Sequence, residues 1–155
     1  NSSLLNWYFN KKMITNVDVY PYIKGIHLKK LPIQIKLNHI RKFENIVNYI
    51  LFCKPLETDK MSFYLDQLLD GMVYELYFEN EIKQAGCDIL KYLDNLPEIN
   101  DENLSANRRM ADEEKMKIIT KVFNKLYDKE SPVRKNLEAM EQVEEVAIIK
   151  KSLEK

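Results

Sequence analysis

The sequence predicts a mainly α protein: a helical bundle of four to five helices with a short irregular or β-containing N-terminal segment. Three observations predict it. Only three Gly and five Pro occur in 155 residues, too few for the many turns of an all-β chain. Apolar side chains recur at three- and four-residue steps through most of the length, the period of a helix with one wet face. Apolar residues make up 45% and aromatics 10% of the chain, enough for one packed core and too much for a disordered tail or a low-complexity tract.

Each element has its own signal. Ser2 or Ser3 offers a hydroxyl to the free amides of a first helical turn, and Leu4, Leu5, Tyr8 and Phe9 follow at helical spacing as far as Met13. From Ile14 to Ile35 the pattern breaks. The Tyr20-Pro21-Tyr22 and Leu31-Pro32-Ile33 steps favour extended backbone, because proline disfavours helix in the residue before it. A helix then starts near Asn38, with Ile40, Phe43, Val47 and Ile50 as its apolar stripe and Pro55 as its stop. Asp59 opens the next, with Met61, Leu65, Leu68, Met72 and Leu76 on one face. Glu79 to Leu96 reads as a third helix that contains Gly86 and is stopped by Pro97, and residues 98–110 read as a polar linker. A C-terminal pair follows over 111–155. One helix carries Ile119, Val122, Phe123 and Leu126; the other opens at Ser131-Pro132, with proline at the first helical position. This last helix bears Val133, Leu137, Met140 and Ala147 on one side and Val146, Ile149 and Leu153 on another, so its end calls for a second contact, including self-association.

The two cysteines, Cys53 and Cys87, lack the paired spacing of a metal or redox site. No basic leader precedes a long apolar run, and no run approaches the roughly 20 residues a membrane span needs. The expectation is a cytoplasmic protein with no membrane contact. The chain opens on Asn1 with residues that look like a helix interior, which reads as a piece of a longer polypeptide.

The net charge of zero, from 24 basic and 24 acidic residues, is a cancellation. Residues 1–56 carry +7, residues 57–104 carry −9 and residues 105–155 carry +2. In the basic part Lys11, Lys12, Lys24, Lys29, Lys30, Arg41 and Lys42 are candidates for phosphate contact, since cations neutralise phosphates with release of counterions. Asn16, Tyr20 and Tyr22 are candidates near bases, to which they offer hydrogen bonds and stacking surfaces. The competing expectation is that these cations pack on the acidic stretch or form a solvated face. Nothing in the chain converges on catalysis. His27 and His39 stand in no triad or ligand spacing, and Gly25, Gly71 and Gly86 build no phosphate loop. No catalytic residue, metal ligand or cofactor is assigned to this chain.

Two blocks carry a family resemblance. The first is Leu-Leu-Asn-Trp-Tyr-Phe-Asn-Lys-Lys from Leu4, then Val19-Tyr20-Pro21-Tyr22-Ile23-Lys24, then Leu28-Lys29-Lys30-Leu31-Pro32-Ile33. The second is Leu65-Asp66-Gln67-Leu68, Val73-Tyr74-Glu75-Leu76-Tyr77 and Glu81-Ile82. In order and spacing the first resembles the closing part of the specificity domain in TaqI-type adenine DNA methyltransferases, including the single-chain restriction–modification enzymes, and the second resembles the helix that follows the Leu-Pro-Ile step near their C-terminal end. The resemblance covers residues 3–82 and implies that residues 1–36 close a target-recognition domain and 37–97 form a helical region behind it. It also implies double-stranded DNA as a partner, an upstream catalytic domain on the same polypeptide, and S-adenosylmethionine as the cofactor of that parent. The family's Asn/Asp-Pro-Pro-Tyr/Phe motif is not among these residues, so the chemistry would lie elsewhere. A different expectation from the same residues is a helical interaction module with no nucleic-acid contact.

Overall fold

The computed structural model describes residues 2–13, 29–56, 59–99 and 110–153. Among them are seven α-helices and no strand: α1 Ser3–Lys12, α2 Ile40–Cys53, α3 Asp59–Tyr77, α4 Glu79–Gln84, α5 Asp112–Tyr127, α6 Pro132–Ala139 and α7 Glu144–Leu153. The fold is the helical bundle expected, with more and shorter helices. Residues 32–36 lie in neither helix nor strand: the Ile33 amide closes a tight turn onto Leu31 O at 2.9 Å and Lys36 is extended, so this part of the N-terminal region is irregular.

The first helix begins as its serines predict. The Ser2 hydroxyl accepts from the Leu5 amide at 3.4 Å, and Ser3 donates its amide to Asp70 of α3 at 2.8 Å and its hydroxyl to the other carboxylate oxygen. In the centre α2 packs along α3, and α1 lies against α3 and α7. Ile46, Tyr49, Leu65, Leu68 and Met72 are fully buried between these helices, joined from the C-terminal half by Ile119, Met140 and Ile149. Tyr64 of α3 stands edge-on to Phe123 and Tyr127 of α5 and donates its hydroxyl to Leu126 O at 2.8 Å, which ties the two halves of the core together.

Three sequence expectations need correction. The helix expected over 79–96 stops after Gln84. Gly86 takes a left-handed φ of 67°, and the amides of Gly86 and Cys87 return to Lys83 O and Ile82 O. That is a Schellman closure, in which glycine at the first position past the helix avoids a Cβ clash. Second, the last helix is two. A short 3-10 turn over Met140–Gln142 and an extended Val143 separate α6 from α7, which resets the helical phase and lets Val146 and Ile149 face the core while Ala147 is exposed. The second apolar face thus has a partner within the chain, α1. Third, α2 is turned: Ile40 and Val47 point outward, and its buried face is Lys42, Asn45, Ile46, Tyr49, Ile50 and Cys53. Of the stretch read as linker, Glu98 and Ile99 belong to the body, with Ile99 buried; residues 100–109 lie outside the described residues.

Candidate nucleic-acid interface

The basic block divides sharply once its partners are known. Four candidates, Lys11, Lys12, Lys29 and Lys30, are exposed and make no ion pair with a described residue. Lys11 and Lys12 form the last turn of α1, where a cation is also favoured by the carbonyl end of the helix dipole. Lys29 and Lys30 sit in a turn ahead of the extended segment. Asn16, Tyr20, Tyr22 and Lys24 lie between these two pairs in the chain and outside the described residues, as does His27.

Arg41 and Lys42 behave differently from each other. Arg41 is 77% exposed, and its Nε lies 2.5 Å from Glu98 Oε1, so its charge is partly offset. Lys42 is withdrawn as a phosphate contact. Its side chain is 9% exposed, its ammonium donates to Leu90 O at 2.8 Å, and Asp94 lies 2.6 Å away. The cause is the irregular return after Gly86. Leu90 O takes the Leu93 amide of a short 3-10 turn at 3.2 Å, Leu96 O and Pro97 O take no described backbone amide, and α2 supplies donors one turn apart: Lys42 to Leu90 O, Asn45 to Leu96 O at 3.1 Å, and the Tyr49 hydroxyl to Pro97 O. Buried carbonyls demand such partners. From the other side, the buried Glu75 carboxylate accepts the amides of Ile89 and Leu90 at 2.6 and 2.9 Å. A signal for Lys42 existed in the sequence: at 100° per residue it shares one face with Ile46, Tyr49 and Cys53.

The extended segment is held by α3 and α4. The Tyr77 hydroxyl donates to Pro32 O at 2.5 Å and accepts from the Gln34 amide at 3.1 Å, and Lys36 is bonded to Glu79. Glu79 also takes Lys83 at 2.8 Å, and hydrogen bonds from the two ammonium groups hold its carboxyl at about 2. Burial, reinforced by the charge of Lys42, lowers the pKa of His39 below its ordinary value. A polar pocket of about 260 Å³ contains His39, Lys42, Glu75 and Glu79, but its carboxylates and ammonium groups are spent on each other and on backbone. No group of three His, Cys, Asp or Glu side chains among the described residues could hold a metal ion. Both cysteines are buried, and burial raises the pKa of the Cys87 thiol. No described helix is long and apolar enough to cross a membrane.

No protein-family model matches this chain, and no curated protein or solved structure matches it either. The geometry is therefore what bears on function.

Proposed function

We propose that this chain is the closing part of the target-recognition region of a TaqI-type adenine DNA methyltransferase, and that Lys11, Lys12, Lys29 and Lys30 contact the DNA backbone. The observation that carries the proposal is the sorting of charge. Every basic residue from Lys36 to Lys54 has a carboxylate partner, whereas the four described lysines before position 31 have none among the described residues and stand in solvent. Exposed lysines without a carboxylate partner among the described residues also occur in the C-terminal half, at Lys117, Lys121, Lys125, Lys129 and Lys151; what sets the four apart is that they lie within the residues that carry the resemblance, where a phosphate-binding surface is expected. Arg41 is a peripheral member, since Glu98 must share it. Further support comes from the two blocks that carry the resemblance, which meet in space. Tyr77 of the second block is bonded to Pro32 of the first, and just outside the blocks Ser3 is bonded to Asp70, Gln34 to Tyr77 and Lys36 to Glu79. In the parent enzyme, S-adenosylmethionine and the methyl-transfer site belong to the upstream domain, and this part supplies position and backbone affinity.

Replacing Lys11, Lys12, Lys29 and Lys30 together by Gln tests the DNA role. Titration of the 155-residue chain with a mixed-sequence duplex at several salt concentrations is the measurement, since backbone contact needs no specific site. The salt slope should fall by about 0.9 for each phosphate that is no longer neutralised. The same affinity and slope in wild type and variant overturn the role. The family assignment is tested separately by the coding sequence upstream of Asn1: an α/β domain with an Asn-Pro-Pro-Tyr-type motif supports it, and any other preceding sequence removes it.

A further inference from the structure

Nine large apolar residues are exposed among the described residues, and six of them lie between positions 33 and 51: Ile33, Ile35, Leu37, Ile40, Val47 and Leu51. Scattered exposed leucines are ordinary, but a contiguous apolar face marks an interaction site. On α2 and the turn before it, the outward positions Leu37, Ile40, Glu44, Val47 and Leu51 follow steps of three, four, three and four residues. This is the seam along which one helix receives another. Leu37 is 82% and Leu51 63% exposed, so the seam is uncovered at both ends. At its C-terminal end Leu51 opens into a cleft of about 680 Å³ with Phe52, Pro55 and Met116, and the first turn of α5 places Asp112 and Glu113 on its rim.

Charge identifies the occupant. Glu44 stands in the middle of the apolar seam, and Glu44, Asp112 and Glu113 are exposed with no ion pair to a described residue. Covering Glu44 with an apolar or acidic surface would strip water from an uncompensated carboxylate. Nucleic acid is repelled by the same groups. A second copy of this chain is a poor fit, because two-fold pairing of the seam brings Glu44 towards its own copy. We propose that this face docks a basic amphipathic helix of a partner protein, about four turns long, whose apolar side chains lie on Ile40, Val47 and Leu51. Its Lys or Arg side chains meet Glu44 and the acidic rim of the cleft. This site is separate from the lysines assigned to DNA and stands or falls without them.

The test uses two fluorescein-labelled peptides of about four helical turns with the same leucine seam, one with lysines and one with glutamates at the flanking and central positions. Each is titrated at nanomolar concentration with the 155-residue chain, by anisotropy. The basic peptide should bind saturably, more tightly at low salt, and the acidic one should not. Glu44→Lys should weaken the basic peptide about tenfold, as like charges meet at the centre of the contact, and strengthen the acidic one. Val47→Asp with Leu51→Asp should abolish binding; both sites are exposed, and circular dichroism checks that the helices persist. The charge swap at Glu44 keeps the test decisive if the double variant unfolds. Equal binding of the two peptides, no saturable binding of the basic one, or indifference to Glu44→Lys overturns the proposal. A wild-type dimer that Val47→Asp with Leu51→Asp dissociates also overturns it, and assigns the face to a second copy.

Discussion

Between Lys36 and Lys54 each of the four basic side chains meets a carboxylate, Lys36 with Glu79, Arg41 with Glu98, Lys42 with Asp94 and Lys54 with Asp66, whereas Lys11, Lys12, Lys29 and Lys30 meet none among the described residues. In sequence these cations form one run. In the fold they belong to two populations, one paired with carboxylates of the acidic stretch, of which Lys42 alone is buried, and one unpaired and facing water. Two accounts of the basic segment, a charge match with the acidic stretch and a surface for an anionic partner, are usually treated as rivals. Here each is suited to a different half. The neutral total misleads because the acidic stretch neutralises only the cations that α2 and its flanks bring beside it.

The contrast breaks first at Lys42. Lys42→Met keeps most of the buried stem but removes the charged donor to Leu90 O, which is left with the Leu93 amide at 3.2 Å alone. That should cost about 2 kcal/mol. Asp94 is 60% exposed, so removal of the ion pair adds little beyond this. Lys30→Met, the same chemical change at an exposed, unpaired site, should fall within about 0.5 kcal/mol of wild type. Urea denaturation of both variants is the measurement. Equal stabilities would mean that the two populations differ in appearance only.

Much of the fold is legible in the sequence because helix starts and stops are local. Ser2, Pro55 and Pro132 mark ends that the structure keeps, and the stripes from Leu65 to Leu76 and from Ile119 to Leu126 are buried as their spacing predicts. The misses have one physical origin, which is that tertiary partners decide among local options. Gly86 is tolerable within a helix at a cost of about 1 kcal/mol, yet Glu75 and α2 stand ready to satisfy the backbone once it leaves the helix, and the chain leaves. On α2 both faces carry apolar residues, so periodicity alone does not choose the one to bury. The buried one has Tyr49, Asn45 and Lys42 as donors for the 90–97 return. For the candidate site, charge by segment is legible, but the pairing that removes Lys42 joins residues some 50 positions apart, and its one local trace is the helical face that Lys42 shares with Ile46, Tyr49 and Cys53.

A smaller effect sharpens the boundary between the two populations. Tyr77 fixes the extended segment through Pro32 O and the Gln34 amide, immediately after the unpaired Lys29 and Lys30. Tyr77→Phe should cost only about 0.5–1 kcal/mol of global stability, since water takes the place of the hydroxyl at this exposed site. Amide exchange of Gln34 should nevertheless speed up strongly, while Ile46 and Leu68 in the core stay protected. If Lys29 and Lys30 bind DNA from a position held by Tyr77, the variant should also lose affinity without losing salt slope, because the cations remain and only their placement is relaxed. Unchanged exchange at Gln34 would show that Tyr77 does not hold the segment.

The smallest effect is a proton. Glu79 receives Lys36 from the extended segment and Lys83 from its own helix, and their hydrogen bonds bring its carboxyl from 4.5 to about 2. A carboxyl whose pKa is lower in the folded chain than in the unfolded one favours folding when it is ionised. Its contribution is therefore complete above about 4.5 and is lost as the pH falls towards 2. Because the group is open to solvent, the change should register locally, as release of Lys36, and hardly at all in global stability. Hydrogen exchange, corrected for the intrinsic pH dependence of amides, should show protection at Gln34 and His39, whose amides are bonded to Tyr77 and to Lys36 O, falling through this window. Glu79→Gln should show the reduced protection already at neutral pH and lose the pH dependence. Added salt should reproduce part of the effect in wild type, since ions screen an exposed pair within a Debye length. If protection at Gln34 and His39 in wild type is flat from pH 5 to pH 2, roughly the span over which a carboxylate titrates, Glu79 does not anchor Lys36. The border between compensated and uncompensated charge would then lie at Tyr77 alone.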